Sequence, residues 1–127
     1  MIDDRDRGFL LGDGVFETLL VVNGSALWLD EHLQRMKKAA RKLDIPFDAD
    51  GILIAVKTAL TSLSPSVVRV TLSRGVTARG LSADCSQPTL HVSCDPFDVT
   101  LIGQPLRLVT SSMRRNPSSS LHSPQVR

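Results

Sequence analysis

The spacing of apolar residues changes period twice along this chain, and that change constrains its fold more than any other feature. Residues 15–22 form a β-rich apolar run that is followed directly by Asn23-Gly24. Asn-Gly favours a two-residue hairpin, because both central residues of such a turn need a positive φ. A short returning strand is therefore predicted over residues 26–28.

In the middle of the chain, apolar side chains recur every three or four residues. That spacing predicts an amphipathic helix over residues 30–43, for which Asp30 is a suitable N-cap. It predicts a second helix over residues 50–63, which Ser64-Pro65 ends. Each helix then has one apolar face to pack.

The last part of the chain returns to alternation of apolar and polar residues, typical of half-buried strands. Strands are predicted over residues 67–74, 89–95 and 106–110. The resulting order β-β-α-α-β-β-β predicts an α+β domain, with both helices on one face of a mainly antiparallel sheet. The opposite face should carry Phe16 and Thr18.

Composition excludes several classes of protein. The 127 residues are 42% hydrophobic and 22% charged, which is ordinary for a globular domain. No apolar run approaches the ~20 residues that span a bilayer, and the N-terminus has no signal-peptide core, so we expect a cytoplasmic protein without a membrane partner. Cys85 and Cys94 could form one disulfide but no framework, and no Cys/His spacing predicts a metal site.

Charge is unevenly distributed along the chain. The net charge is +2, but the first 64 residues carry eight Lys/Arg and ten Asp/Glu, whereas the rest carry seven and three. A basic second half could suit an anionic small molecule, although scattered solvated arginines are the simpler interpretation. A nucleic-acid partner is not expected, because four Phe, one Trp and no Tyr leave few side chains for stacking on bases.

Few residues indicate chemistry by themselves. The three histidines are far apart in sequence and none adjoins a nucleophile. Asp13 and Glu17 are four residues apart, a spacing that does not form a ready pair on a strand. Arg35 lies at the edge of the apolar stripe of its helix. It could pair with Glu31 one turn away, or hold a phosphate with two parallel hydrogen bonds.

Two segments, residues 6–19 (DRGFLLGDGVFETL) and residues 31–36 (EHLQRM), resemble the N-terminal domain of the class IV (fold-type IV) pyridoxal-phosphate enzymes. That family contains branched-chain and D-amino-acid aminotransferases and 4-amino-4-deoxychorismate lyase. Three later segments agree in order: the strand near 69–73, the loop 74–80, and Arg114 to Pro117. The resemblance covers nearly the whole chain as far as Leu121 and implies the fold of that domain.

The resemblance also implies roles for particular residues. Arg35 would bind the phosphate of pyridoxal 5'-phosphate, and Phe16 and Thr18 would face cofactor and substrate. Arg79 would meet the carboxylate of an amino- or keto-acid substrate, often across a dimer interface, with a solvated loop arginine as the alternative. A homo-oligomer is therefore expected. An uncovered apolar sheet face predicts self-association as well.

The chain departs from the family near its end. Gln125 stands where the Schiff-base lysine is expected, and an amide cannot replace that amine. The predicted organisation is a class IV aminotransferase-like domain over residues 1–118 and a divergent tail over 119–127, with the C-terminal domain absent. A reading-frame shift after Ser120 would explain both departures. We expect this chain alone to offer a weak anion site and no catalysis.

Within the family, the pattern favours the lyase, which converts 4-amino-4-deoxychorismate to 4-aminobenzoate and pyruvate. The aminotransferases usually place a tyrosine in the segment that here spans residues 9–12, and this chain has none. A branched-chain or D-amino-acid aminotransferase is the alternative. A non-catalytic pseudoenzyme or dimerisation module is a further alternative, which the missing lysine supports.

Overall fold

A computed structural model describes residues 2–60, 65–78 and 87–113 of the chain. The strands are β1 (Gly14–Val22), β2 (Ser25–Ala26), β3 (Ser66–Ser73) and β4 (Thr89–Pro96). The helices are α1 (Arg7–Leu11), α2 (Leu29–Lys42) and α3 (Ala49–Ala59), with a 3-10 turn at Val99–Leu101. All strand pairs are antiparallel, in the order β2-β1-β3-β4. Among these residues, no helix has the length and apolar character to cross a membrane.

The core lies between the helices and one face of the sheet. Along β1 and β3 every second side chain is buried, as expected for a sheet covered on one side. The buried apolar residues of these strands and of the two long helices are Val15, Leu19, Val21, Met36, Ala39, Ala40, Ile52, Val56, Val68, Val70 and Leu72. Each of the larger side chains stabilises the fold by about 1.5–3 kcal/mol when it is fully buried.

The strand register decides which side chains share the other face. Phe16 pairs with Thr71, which pairs with His91, and Thr18 pairs with Arg69. Directly opposed residues lie on one face of a sheet, and these alternate with the buried set. The Arg69 guanidinium lies 3.8 Å from the centroid of the Phe16 ring, a cation–π contact. The predicted α+β fold is confirmed, with Phe16 and Thr18 on the face away from the helices.

The predicted boundaries agree with the structure except at three places. The strand expected over 26–28 is limited to Ser25–Ala26, because the chain turns away at Trp28, whose φ is 51°. The helix expected over 50–63 is observed as Ala49–Ala59, and residues 61–64 lie outside the described residues. The strand predicted over 106–110 is wrong. That segment is exposed and pairs with no described strand edge, and alternation forms a strand only where a neighbour accepts its hydrogen bonds.

Helix α1, which has five residues, was not predicted from the sequence. Asp6 caps it by accepting a hydrogen bond from the Gly8 backbone N–H at 2.7 Å, and Gly12 ends it with a φ of 65°. Gly8 is required for a second reason: a Cβ there would lie 2.6 Å from Cβ of Ser73 on β3. The two glycines therefore allow α1 to end sharply and to pack against the sheet.

Candidate functional site

A buried carboxylate, Glu17, organises the most chemically distinctive part of the molecule. It lies on the helix-facing side of β1 and is 1% exposed. Its Oε1 accepts a hydrogen bond from Nε of Arg35 at 2.7 Å, and its Oε2 accepts one from Nη2 of the same guanidinium. Nδ1 of His32 lies 2.7 Å from Oε2 and donates to it, because a carboxylate only accepts. A buried charge needs such partners, since leaving it unpaired costs several kcal/mol.

Helix α2 brings both partners to Glu17. His32 and Arg35 are three residues apart and therefore lie on the same side of the helix. The pairing with Glu31 that the sequence left open does not form; Arg35 instead reaches a carboxylate 18 residues earlier in the chain. The hydrogen bonds to Glu17 raise the pKa of Arg35 above its ordinary value, although partial burial opposes the shift.

Arg35 keeps hydrogen-bonding capacity on its outer edge. A guanidinium has five N–H groups, and Glu17 accepts from Nε and Nη2 along one edge only. The side chain is 50% exposed and lines a pocket of about 220 Å³ together with Trp28, Glu31 and His32. Pockets for whole small ligands measure about 300–1,000 Å³. This pocket therefore suits an anionic group such as a phosphate better than an entire cofactor.

A second ionic cluster is centred on Asp13, the residue that directly precedes β1. Oδ2 of Asp13 accepts hydrogen bonds from Nε of Arg7 and from Nε of Arg74, both at 2.8 Å. Arg74 also donates to the backbone carbonyls of Leu43 and Asp44 at the end of α2. Burial alone would raise the pKa of Asp13, but the two arginine hydrogen bonds outweigh it and hold that pKa below its ordinary value. This cluster joins α1, α2 and β3.

Asp6 forms a third polar network. It is 2% exposed; its Oδ2 accepts from Oγ of Ser73 at 2.8 Å, and that Oγ accepts from the Gly75 backbone N–H at 3.1 Å. An isolated backbone bridge joins Asp6 to Val76. The acidic and glycine residues of segment 6–19 thus hold the N-terminus against the loop after β3. An Asp two residues before a Gly was the available signal for this cap.

The structure brings some predicted site residues together and separates others. Phe16 and Thr18 share the face away from the helices, whereas Arg35 binds Glu17 on the opposite, helix-facing side. Arg79 and Gln125 lie outside the described residues. Glu17 was not predicted as a site residue, because its partners on α2 are distant in sequence.

A larger pocket, of about 370 Å³, opens on the face that carries Phe16. Phe9, Thr71 and His91 are among its lining residues, and most of its surface is apolar. The four lysines of the whole sequence lie elsewhere, three on α2 and Lys57 on α3, and none lines either pocket. In the described part of the chain, no group of His, Cys, Asp and Glu residues could hold a metal ion.

Comparison with known proteins gives a consistent result. The family model described as amino-transferase class IV matches residues 14–123. The chain is 33% identical over 122 residues to a putative branched-chain-amino-acid aminotransferase of Methanocaldococcus jannaschii, covering 92% of this chain and 42% of that protein. It is 36% identical over 99 residues to a bifunctional aminodeoxychorismate lyase / D-amino acid transaminase of Mycobacterium tuberculosis, covering 77% and 34%.

Solved structures show the same likeness. A putative 4-amino-4-deoxychorismate lyase from Legionella pneumophila superposes with a TM-score of 0.87 at 25% identity, over 99% of this chain and 48% of that one. The PLP-bound form of a hypothetical aminotransferase from Mycobacterium tuberculosis gives 0.69 at 34% identity, over 81% and 36%. The chain thus spans less than half the length of each of these relatives.

Proposed function

The chain belongs to the amino-transferase class IV family, and from that premise we propose that it is the N-terminal, phosphate-binding part of an aminodeoxychorismate lyase-like enzyme. The family depends on pyridoxal 5'-phosphate and acts on amino and keto acids. Its members eliminate pyruvate from an amino-substituted ring or transfer amino groups. The cofactor, when bound, supplies the electron sink for this chemistry, and the protein supplies binding and orientation.

The observation that carries the proposal is the half-exposed Arg35 beside a pocket of about 220 Å³, which is smaller than the pockets that enclose whole small ligands. Its charge is permanent, and its outer N–H groups match the oxygens of a phosphate. Trp28 and His32 line the same pocket and exclude part of the solvent. The residues present therefore fit the phosphate of the cofactor. Phe16 and Thr18 lie on the other face of β1, and we propose that they face the bound organic groups across the edge of that strand, which β2 pairs only at Val21 and Val22. Arg79 is proposed to hold the substrate carboxylate.

The same residues do not supply the lysine that this family uses. The lysines of this chain are on α2 and α3 and line neither pocket, and Gln125 stands at the sequence position where the family resemblance expects the lysine. We therefore propose that residues 1–118 are the N-terminal domain, that 119–127 diverge from the family, and that catalysis needs a lysine from outside this chain. Assembly into a homo-oligomer belongs to the same proposal, since the apolar pocket and Phe16 lie on the sheet face that the two long helices, α2 and α3, leave uncovered.

The choice of lyase rests on two observations. The chain has no tyrosine, a residue that the aminotransferases of this family usually carry in the segment matching residues 9–12. The Legionella structure that covers almost the whole chain is described as a lyase. An aminotransferase is the second candidate, supported by the archaeal and D-alanine aminotransferase relatives.

The phosphate site is tested by comparing two ligands that differ only in the phosphate. Pyridoxine 5'-phosphate and pyridoxine are suitable, because neither has the aldehyde that reacts with lysines. We expect weak binding of the first and about tenfold weaker binding of the second, equivalent to about 1.4 kcal/mol. Arg35→Gln should abolish this preference. Arg41→Gln, on the exposed side of the same helix, should keep it.

Circular dichroism establishes that both variants are folded. A phosphate preference that survives in folded Arg35→Gln would contradict the proposal. The same proteins are assayed with pyridoxal 5'-phosphate against aminodeoxychorismate and branched-chain amino acids, where no turnover above that of the cofactor in solution is expected. Turnover that disappears in Arg35→Gln would show that this chain does contain the complete machinery.

A further inference from the structure

Glu17 places a negative charge directly beside the cation that is proposed to bind an anion. By charge alone this arrangement disfavours binding of an anion, because the carboxylate and the anion would repel each other across a few ångströms. The carboxylate cannot swing away, since its side chain is 1% exposed and β1 fixes its backbone within the sheet. Attraction of the ligand therefore does not explain why Glu17 lies beside Arg35, and its presence must benefit the site in another way.

The contacts of Glu17 indicate what that benefit is. Two hydrogen bonds along one edge, from Nε and Nη2, fix both the position and the plane of the Arg35 guanidinium. His32 holds the second carboxylate oxygen from the same helix, which fixes the carboxylate in turn. Because a guanidinium is planar, fixing one edge also fixes the direction of the opposite N–H groups. Those groups belong to the half-exposed part of the side chain that lines the 220 Å³ pocket.

We propose that Glu17 is a positioning residue, which holds Arg35 in the orientation that receives the phosphate of the ligand. This inference rests on the proposed phosphate-binding function. An unheld arginine loses side-chain entropy when it binds, whereas one that is already fixed does not, so the orientation lowers the cost of binding. In this site the gain from orientation exceeds the repulsion from the carboxylate.

A matched pair of variants separates orientation from charge. Glu17→Gln and Glu31→Gln each remove one negative charge near the same pocket, but only Glu17 bonds to Arg35. If charge alone mattered, both variants would bind anions more tightly. If Glu17 positions Arg35, Glu17→Gln should bind pyridoxine 5'-phosphate and inorganic phosphate about fivefold more weakly. Glu31→Gln should bind both more tightly, because it removes a negative charge from the pocket lining without removing a bond to Arg35.

A second readout reports the orientation without any ligand. The Nε–H group of Arg35 should give a distinct, slowly exchanging NMR signal in the wild-type 127-residue chain and in Glu31→Gln. In Glu17→Gln that signal should exchange rapidly, because the charge-assisted hydrogen bond is lost. A merely structural role for Glu17 would change the stability of the chain and leave phosphate affinity in the folded variant untouched.

The outcomes distinguish this inference from the function on which it rests. A wild-type chain with no preference for the phosphorylated ligand overturns both. A wild-type chain with that preference, and Glu17→Gln that binds equally well or better, overturns the positioning role alone. If Glu17→Gln does not fold, Glu17→Asp takes its place: it keeps the charge but shortens the reach, so it should also bind more weakly. Wild-type affinity in Glu17→Asp would likewise overturn the inference.

Discussion

Asp13 directly precedes β1 and Glu17 lies within it, and each carboxylate is held by two nitrogen-bearing side chains. The two clusters differ in how much of the cation's side chain reaches solvent. The arginines around Asp13 are 11% and 24% exposed, and Arg74 donates further hydrogen bonds to backbone carbonyls at the end of α2. Arg35 beside Glu17 is half exposed and borders a pocket. A buried ion pair becomes a candidate binding site only when its cation retains donors that reach solvent.

The two regions also differ in how they accommodate a left-handed backbone. Beside Asp13, positive φ values fall on Gly12 (65°), which adopts them without strain, and on Asp44 (50°), a residue type that tolerates the left-handed region. Beside the Arg35 pocket, a φ of 51° falls on Trp28, which is 71% exposed. A tryptophan in this conformation costs stability, and such positions cluster at functional sites. The Asp13 region is therefore built for stability and the Glu17 region for access.

The largest expected effect is on the Asp13 side of this comparison. Asp13→Ala leaves Arg7 and Arg74 without their shared carboxylate and should lower the free energy of unfolding by about 3 kcal/mol. Urea denaturation measures the loss. The exposed Asp95 on β4 provides the control, since its replacement by Ala should change the free energy by less than about 0.5 kcal/mol. Equal losses in the two variants would show that the Asp13 cluster has no structural role.

The pH dependence of stability gives a second test of the Asp13 cluster. The two arginines hold the pKa of Asp13 below its ordinary value in the folded chain, whereas unfolded Asp titrates near about 3.9. The stabilisation is therefore complete above that pH and is lost as pH falls through the folded pKa. The difference in unfolding free energy between wild type and Asp13→Asn should be constant from about pH 5 to 7 and shrink below about pH 4. A difference that grows in acid would contradict this assignment.

The smallest expected effect concerns Trp28. Trp28→Gly removes the cost of a left-handed tryptophan and should raise the free energy of unfolding by up to about 1 kcal/mol, because the exposed indole contributes little burial. Thermal or urea unfolding measures the change. The same variant should bind pyridoxine 5'-phosphate more weakly, since the indole lines the pocket of Arg35. Loss of stability without loss of binding would reverse the proposed contrast between the two regions.

Local patterns carried most of the fold. The Asn23-Gly24 turn, the helical spacing before Leu43 and the alternation in β3 and β4 each depend on residues close in sequence, and the corresponding elements are present. Alternation failed at residues 106–110, because a strand also needs a partner that the pattern does not contain. Helical spacing did not reveal α1, since five residues are too few to show a period and this helix depends on its caps.

In the site, the sequence predicts the position of Arg35, whereas tertiary structure determines its partner. The sequence alone placed Arg35 at the margin of the core, because helical spacing determines which side of α2 is buried. Its partner depends on tertiary packing. Helical spacing predicts a pair with Glu31 one turn away, whereas the packing of α2 on β1 brings Glu17, 18 residues earlier, into contact. A buried carboxylate accepts the nearest available cations, and which cations are near depends on how helix and sheet pack, not on spacing along the chain.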